Sequence, residues 1–128
     1  MTDEHYQRGI EQFTQMVGET QIEPLRARFR QVSPEFEHAV MSIIGGQVWA
    51  RPGLDLRTRS LVSVAVLAAQ GRFNALELNL RMALNNGTTE TELVETFFQV
   101  AIYAGFAAAW DGLEKLREIL AAQADNKP

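Results

Sequence analysis

Nine residues near the middle of the chain restrict what it can fold into more than any others. From 61 to 69 the sequence reads Leu-Val-Ser-Val-Ala-Val-Leu-Ala-Ala, with no charge and a single hydroxyl. Asp55 before it can cap a helix, Arg57 and Arg59 fall on the first turns, and Gly71 punctuates the end. A helix apolar around most of its circumference is buried on several sides, in a domain centre or against another subunit. It stops well short of the roughly 20 apolar residues needed to span a bilayer. This helix is therefore expected to be central, and the rest of the chain must cover it.

The remaining sequence offers helices for that purpose. Tyr6, Ile10, Phe13 and Val17 recur at spacings of three and four, which predicts a one-faced helix over 3–17 that ends at Gly18. Thr20 and Glu23 resemble a capping box for a short helix reaching Val32, with Pro24 tolerated in its first turn. Ser33 and Pro34 start a third, whose inward stripe is Phe36, Val40, Met41 and Ile44 until Gly45 and Gly46 weaken the pattern. Pro52 and Gly53 make 48–54 a connecting loop.

Beyond Gly71 a helix over about 72–86 carries Leu76, Leu80 and Ala83 and stops at Asn86-Gly87. Thr89 with Glu92 forms a second capping box, for a helix bearing Leu93, Val94, Phe97, Phe98, Ala101 and Ile102 that breaks near Gly105. A last helix, from 106 to about 122, carries Trp110, Leu113, Leu116 and Leu120. No segment of useful length alternates with period two. The expected fold is all-α, six or seven helices in a single compact domain over 1–128, with only residues 1–3 and 121–128 loose.

Composition narrows the function. Without cysteine there are no disulfides, thiolate metal sites or thiol redox chemistry in this chain. The net charge of −4 comes with basic residues interleaved among acids, so nucleic acid is not an expected partner. No membrane partner is expected either, and the cytoplasm is the default location. His5 and His38 share no ligand spacing and have exposed-looking neighbours, so no metal site is expected. The apolar run over 61–69 and the uncharged run over 100–110 exceed what a chain of this size has room to bury, which predicts a homo-oligomer with an apolar interface.

Three stretches stand out together: Gln47-Val-Trp-Ala-Arg-Pro-Gly-Leu-Asp-Leu-Arg-Thr-Arg-Ser60, Leu78-Asn-Leu-Arg-Met-Ala-Leu-Asn-Asn-Gly87 and Ala101-Ile-Tyr-Ala-Gly105. In order and spacing they resemble the carboxymuconolactone decarboxylase family, over roughly residues 34 to 120. The resemblance implies an all-helical subunit in a ring-like homo-oligomer, a trimer or hexamer, with pockets near subunit contacts. It also implies a small carboxylated lactone of aromatic catabolism as substrate, and no cofactor. The alkylhydroperoxidase branch of the same superfamily needs a Cys-x-x-Cys pair, which this chain lacks.

In the family pattern a Glu stands at the position of Gln47, another Glu at Ala75 and a His at Asn79. Gln and Asn still exchange hydrogen bonds but do not titrate near neutral pH, and Ala has no polar group. Trp49, Arg51, Arg57, Arg59, Arg81, Asn85, Asn86, Gly87 and Tyr103 match. The candidate catalytic residues are accordingly Asn79, Gln47 and Tyr103, and the candidate substrate-binding residues are Arg51, Trp49, Arg81 and Trp110.

Each has a plainer alternative. Arg51 in its Pro-Gly loop can clamp a carboxylate or form a structural salt bridge. Arg57 and Arg59 oppose the helix dipole and need an acid, from Asp55 or a neighbouring subunit. Asn79 lies about 60° from Leu76 on a helical wheel, so it is partly buried as a pocket residue or a satisfied structural amide. Tyr103 suits a pocket or an interface, and Trp49 and Trp110 suit packing or apolar walls. Glu77 and Arg81 have the spacing of a surface ion pair. Two functional readings remain: an enzyme of altered chemistry, or a binding protein that kept the fold.

Overall fold

The computed structural model describes residues 2–126, and among them no strand occurs. The chain divides into two compact units, residues 1–55 and 56–128.

The first unit holds α1 (Thr2–Val17), α2 (Ile22–Val32) and α3 (Pro34–Ala39), the last continuing into a π-helical stretch over Val40–Trp49. Ser33 starts α3 as expected, its Oγ accepting from the Glu35 and Phe36 amides at 3.1 and 3.2 Å. The box expected at Thr20 does not form, because α2 begins at Ile22 behind Gln21, which makes no side-chain cap. Glu23 instead accepts from Arg26 at 2.6 Å and Arg30 at 3.4 Å, so its carboxylate serves cations on its own helix.

The π-helical stretch changes which residues face inward. Its wider turn, seen in the Ala50 amide donating to the Gly45 carbonyl at 3.1 Å, breaks the 3.6-residue phase. Val40 and Met41 are buried as expected, but Phe36 and Ile44 are exposed, and Ser42, Gly45, Gly46 and Trp49 take the inner positions. Val48 and Trp49 thus belong to a helical turn and not to the loop.

α1 lies directly on this stretch. A Cβ at Gly9 would stand 1.6 Å from the Met41 carbonyl oxygen, and one at Gly46 would stand 2.2 Å from that of His5. The crossing is backbone against backbone, which only glycine permits.

The second unit comprises α4 (Leu56–Gln70), α5 (Phe73–Asn85), α6 (Glu90–Ala104) and α7 (Phe106–Asp125). α4 packs against the other three, and Val64 and Ala68 join Leu76, Leu80, Leu93, Phe97, Leu116 and Ile119 in the core. It is central but not covered all round, since Val62 and Val66 are exposed.

The Thr89 box forms completely: the Thr89 hydroxyl accepts from the Glu92 amide at 3.1 Å, and the Glu92 carboxylate accepts from the Thr89 amide at 2.9 Å. Gly105 separates α6 from α7 at φ 103°, a backbone conformation closed to most side chains. The ends are more ordered than expected, because α1 starts at Thr2 and α7 runs to Asp125. Of the residues expected to be loose, Met1, Lys127 and Pro128 lie outside the described chain.

Candidate functional site

In the first unit Gln47 lines an open cavity of about 470 Å³ together with His5, Glu35, His38, Ser42 and Ile43. That volume suits a small organic ligand. Gln47 reaches this place because it lies in the last turn of the π-helical stretch and because the glycine crossing holds the His5 carbonyl against Gly46.

Trp49 is buried, so it acts in packing. Arg51 is exposed just after the turn, its amide donating to the Val48 carbonyl at 3.1 Å. The cavity's two imidazoles were not legible in the sequence as pocket residues. The signal that could have placed them is the pairing of Gly9 with Gly45 and Gly46, small residues that let α1 settle onto the segment bearing Gln47.

Behind His38 lies a buried polar cluster. Its ring stacks on Tyr6 with centroids 4.5 Å apart and planes 13° from parallel. The Tyr6 hydroxyl donates to the Glu37 carboxylate at 2.9 to 3.0 Å and accepts from Arg26 Nη2 at 2.7 Å. Arg26 Nε also donates to Glu37 at 2.9 Å, which satisfies a carboxylate only 3% exposed. Partial burial disfavours the Arg26 charge, but the bonds to Glu37 and Tyr6 outweigh it and raise the guanidinium pKa above its ordinary value.

In the second unit Asn79 is half-buried on α5, and its Nδ2 donates to the Ala75 carbonyl at 2.9 Å. This bond ties Asn79 to the backbone of Ala75 one turn earlier. Arg81 is exposed and pairs with Glu77 at 3.5 Å, as its spacing predicted. Glu77 also accepts from Lys115 at 3.3 Å, and this bond holds its carboxyl below the usual range. A depressed carboxylate contributes stability above its unfolded pKa that is lost as acid titrates it, but an exposed pair contributes little.

Arg57 finds its acid in Glu92, so neither Asp55 nor a neighbouring subunit is needed for it. Tyr103 is 85% exposed, and Trp110, expected in packing or as an apolar wall, is 66% exposed. Among the described residues no three His, Asp or Glu side chains are placed to hold a metal ion, and no helix is long and apolar enough to cross a membrane.

Comparison with known proteins bears on what these residues are for. Residues 34–118 match the carboxymuconolactone decarboxylase family. The chain is also 36% identical over 120 residues to the 4-carboxymuconolactone decarboxylase of Acinetobacter baylyi, across 93% of this chain and 90% of that protein. The chain belongs to the carboxymuconolactone decarboxylase family. A second relative, a nitrosuccinic acid decarboxylase of Metarhizium robertsii, is 43% identical over 60 residues, which cover 47% of this family member and 42% of the relative. The two relatives are named for different carboxylated compounds, so the shared family role is decarboxylase-like and not tied to one substrate.

Proposed function

We propose that this protein is a cofactor-independent, decarboxylase-like lyase with an altered active site, acting on a small cyclic or aromatic-derived molecule that carries a carboxylate. The observation that carries this reading is the alignment with a 4-carboxymuconolactone decarboxylase along nearly the whole of both chains. The reaction needs a cation for the carboxylate and stabilisation of the charge left when carbon dioxide departs. Arg51 supplies the cation. Gln47 on the first unit, and Asn79 and Tyr103 on the second, are the candidate hydrogen-bonding groups for developing oxyanion charge, and Arg81 and Trp110 are candidate contacts for the rest of the substrate.

The test is carbon dioxide release from 4-carboxymuconolactone and related carboxylated lactones by the purified protein. Turnover is expected without any added cofactor, and EDTA should leave its rate unchanged. Loss of activity on chelation, restored by zinc or manganese, would overturn the cofactor-free mechanism.

A second reading is a non-catalytic small-molecule-binding or interaction protein. It is favoured by the engagement of Asn79 with Ala75 and of Arg57 with Glu92, each within its own unit. Saturable binding of a carboxylated lactone in calorimetry with no turnover would establish it.

The protein is further proposed to assemble as a cytoplasmic ring, a trimer or hexamer. Phe98, Ile102, Tyr103, Phe106 and Trp110 on α6 and α7 form a run of exposed large apolar side chains, and Val62 and Val66 on α4 are exposed as well. Such surface is costly to leave in water. Light scattering at micromolar concentration is expected to give a multiple of 14.3 kDa, and a particle of 14.3 kDa itself would end this proposal.

A further inference from the structure

Decarboxylation ends with a proton delivered to carbon, and the amides Gln47 and Asn79 are poor proton donors. The cavity lined by Gln47 contains two imidazoles, those of His5 and His38. His38 is the better held of its two imidazoles: half-buried, stacked on Tyr6, with Nδ1 3.4 Å from the Ser42 hydroxyl one turn along. Tyr6 is itself fixed by Glu37 and Arg26, so a continuous polar chain sets the plane of the ring. His38 lines the cavity, and its Nδ1 lies toward Ser42.

Resting on the decarboxylase reading above, we propose that His38 is the proton-transfer residue of this protein, working in the cavity that Gln47 lines. The ligand class is a small apolar molecule with one carboxylate beside an unsaturated lactone or carbonyl. The bond from carbon to the carboxylate breaks, and its electron pair moves into the conjugated carbonyl as carbon dioxide leaves. The pair then returns to carbon as that carbon takes the proton from the His38 imidazole, and His38 regains a proton from water. Ser42 and Tyr6 are positioning residues.

The other titratable or charged groups around His38 are His5 at the cavity, Glu35 on α3, Tyr6, and Arg26 and Glu37 behind Tyr6. Glu35 disfavours a second negative charge on the ligand, which is why a monocarboxylate is specified.

The experiment has a binding arm and a kinetic arm. Benzoate, an apolar monocarboxylate, is titrated into the intact protein while imidazole nitrogen resonances are followed by NMR. The ring-nitrogen signals of His38 are expected to shift saturably, and no shift overturns the proposal whether or not the protein turns anything over.

In the kinetic arm His38→Gln and Asn79→Ala are compared with wild type on an unsaturated five-membered lactone bearing a single ring carboxylate, with thermal melts to show that each folds. His38→Gln should lose roughly 100-fold or more in turnover. If His38→Gln keeps its turnover while Asn79→Ala collapses, the decarboxylase reading stands and the His38 proposal fails. Wild type that binds benzoate at His38 but releases carbon dioxide from no carboxylated lactone would refute the lyase reading and the proton-transfer role together.

Discussion

Gly9→Ala should lower the melting temperature by roughly 10 °C, from a destabilisation of about 3 kcal/mol. The new methyl would stand 1.6 Å from the Met41 carbonyl oxygen and 2.5 Å from its carbon, so α1 would have to lift off the π-helical stretch. A backbone cannot change rotamer to escape, unlike the side chains that usually absorb overpacking. In an open helix the same substitution would add about 1 kcal/mol of stability through propensity, so the sign of the change is itself the test. Gly53→Ala is the control: a Cβ there meets nothing within 4 Å, and its effect should stay within about 0.5 kcal/mol. A Gly9→Ala protein that melts with wild type would show that α1 does not cross here.

Asn79→Ala is expected to cost on the order of 10- to 1000-fold in turnover, as loss of a single oxyanion donor can. An amide nitrogen carries two hydrogens. One is taken by the Ala75 carbonyl, which fixes the plane of the side chain and leaves the other for a substrate oxygen. Stability should change little, because the lost internal bond lies on a half-buried helix face. Asn79→His should not by itself restore efficient lactone decarboxylation, since Gln47 and Ala75 remain. The assay compares wild type and both variants on 4-carboxymuconolactone. Unchanged turnover in Asn79→Ala would remove the residue from the site, and strong decarboxylation of 4-carboxymuconolactone by wild type would overturn the proposal that the site is altered.

What could be read in the sequence was what local chemistry decides. The Thr89 and Glu92 box and the Ser33 start formed as expected, because every partner lies within three residues. Glu77 and Arg81, four apart, met because that spacing puts them one helical turn apart on one face. The box at Thr20 looked equally good and failed, since Glu23 had Arg26 and Arg30 within reach along its own helix. The expected inward stripe failed at Ile44 because a 3.6-residue period does not hold through the π-helical stretch, whereas Phe36, ahead of that stretch in α3, packs edge-on against Phe29 and stays exposed.

The family was legible in the loop around Arg51 and the Asn-Asn-Gly turn, where residue order carries the likeness. The cavity was not. Its members come from α1 and from the segment after Ser33, and only the glycine crossing brings them together, so no local pattern announces His5 and His38 as neighbours of Gln47.

The π-helical stretch has a consequence for how this protein can be altered. Each of its turns uses more residues than an ordinary helical turn, so the bearing of Gln47 and the depth of Trp49 depend on how many residues separate them from Ser33. Chain length is then a structural variable in its own right. Side-chain replacement along 40–49 leaves that count intact, whereas removing one residue would rotate everything after it by about 100° in an ordinary helix. Here the information resides in the tally of peptide bonds as much as in the identity of the letters.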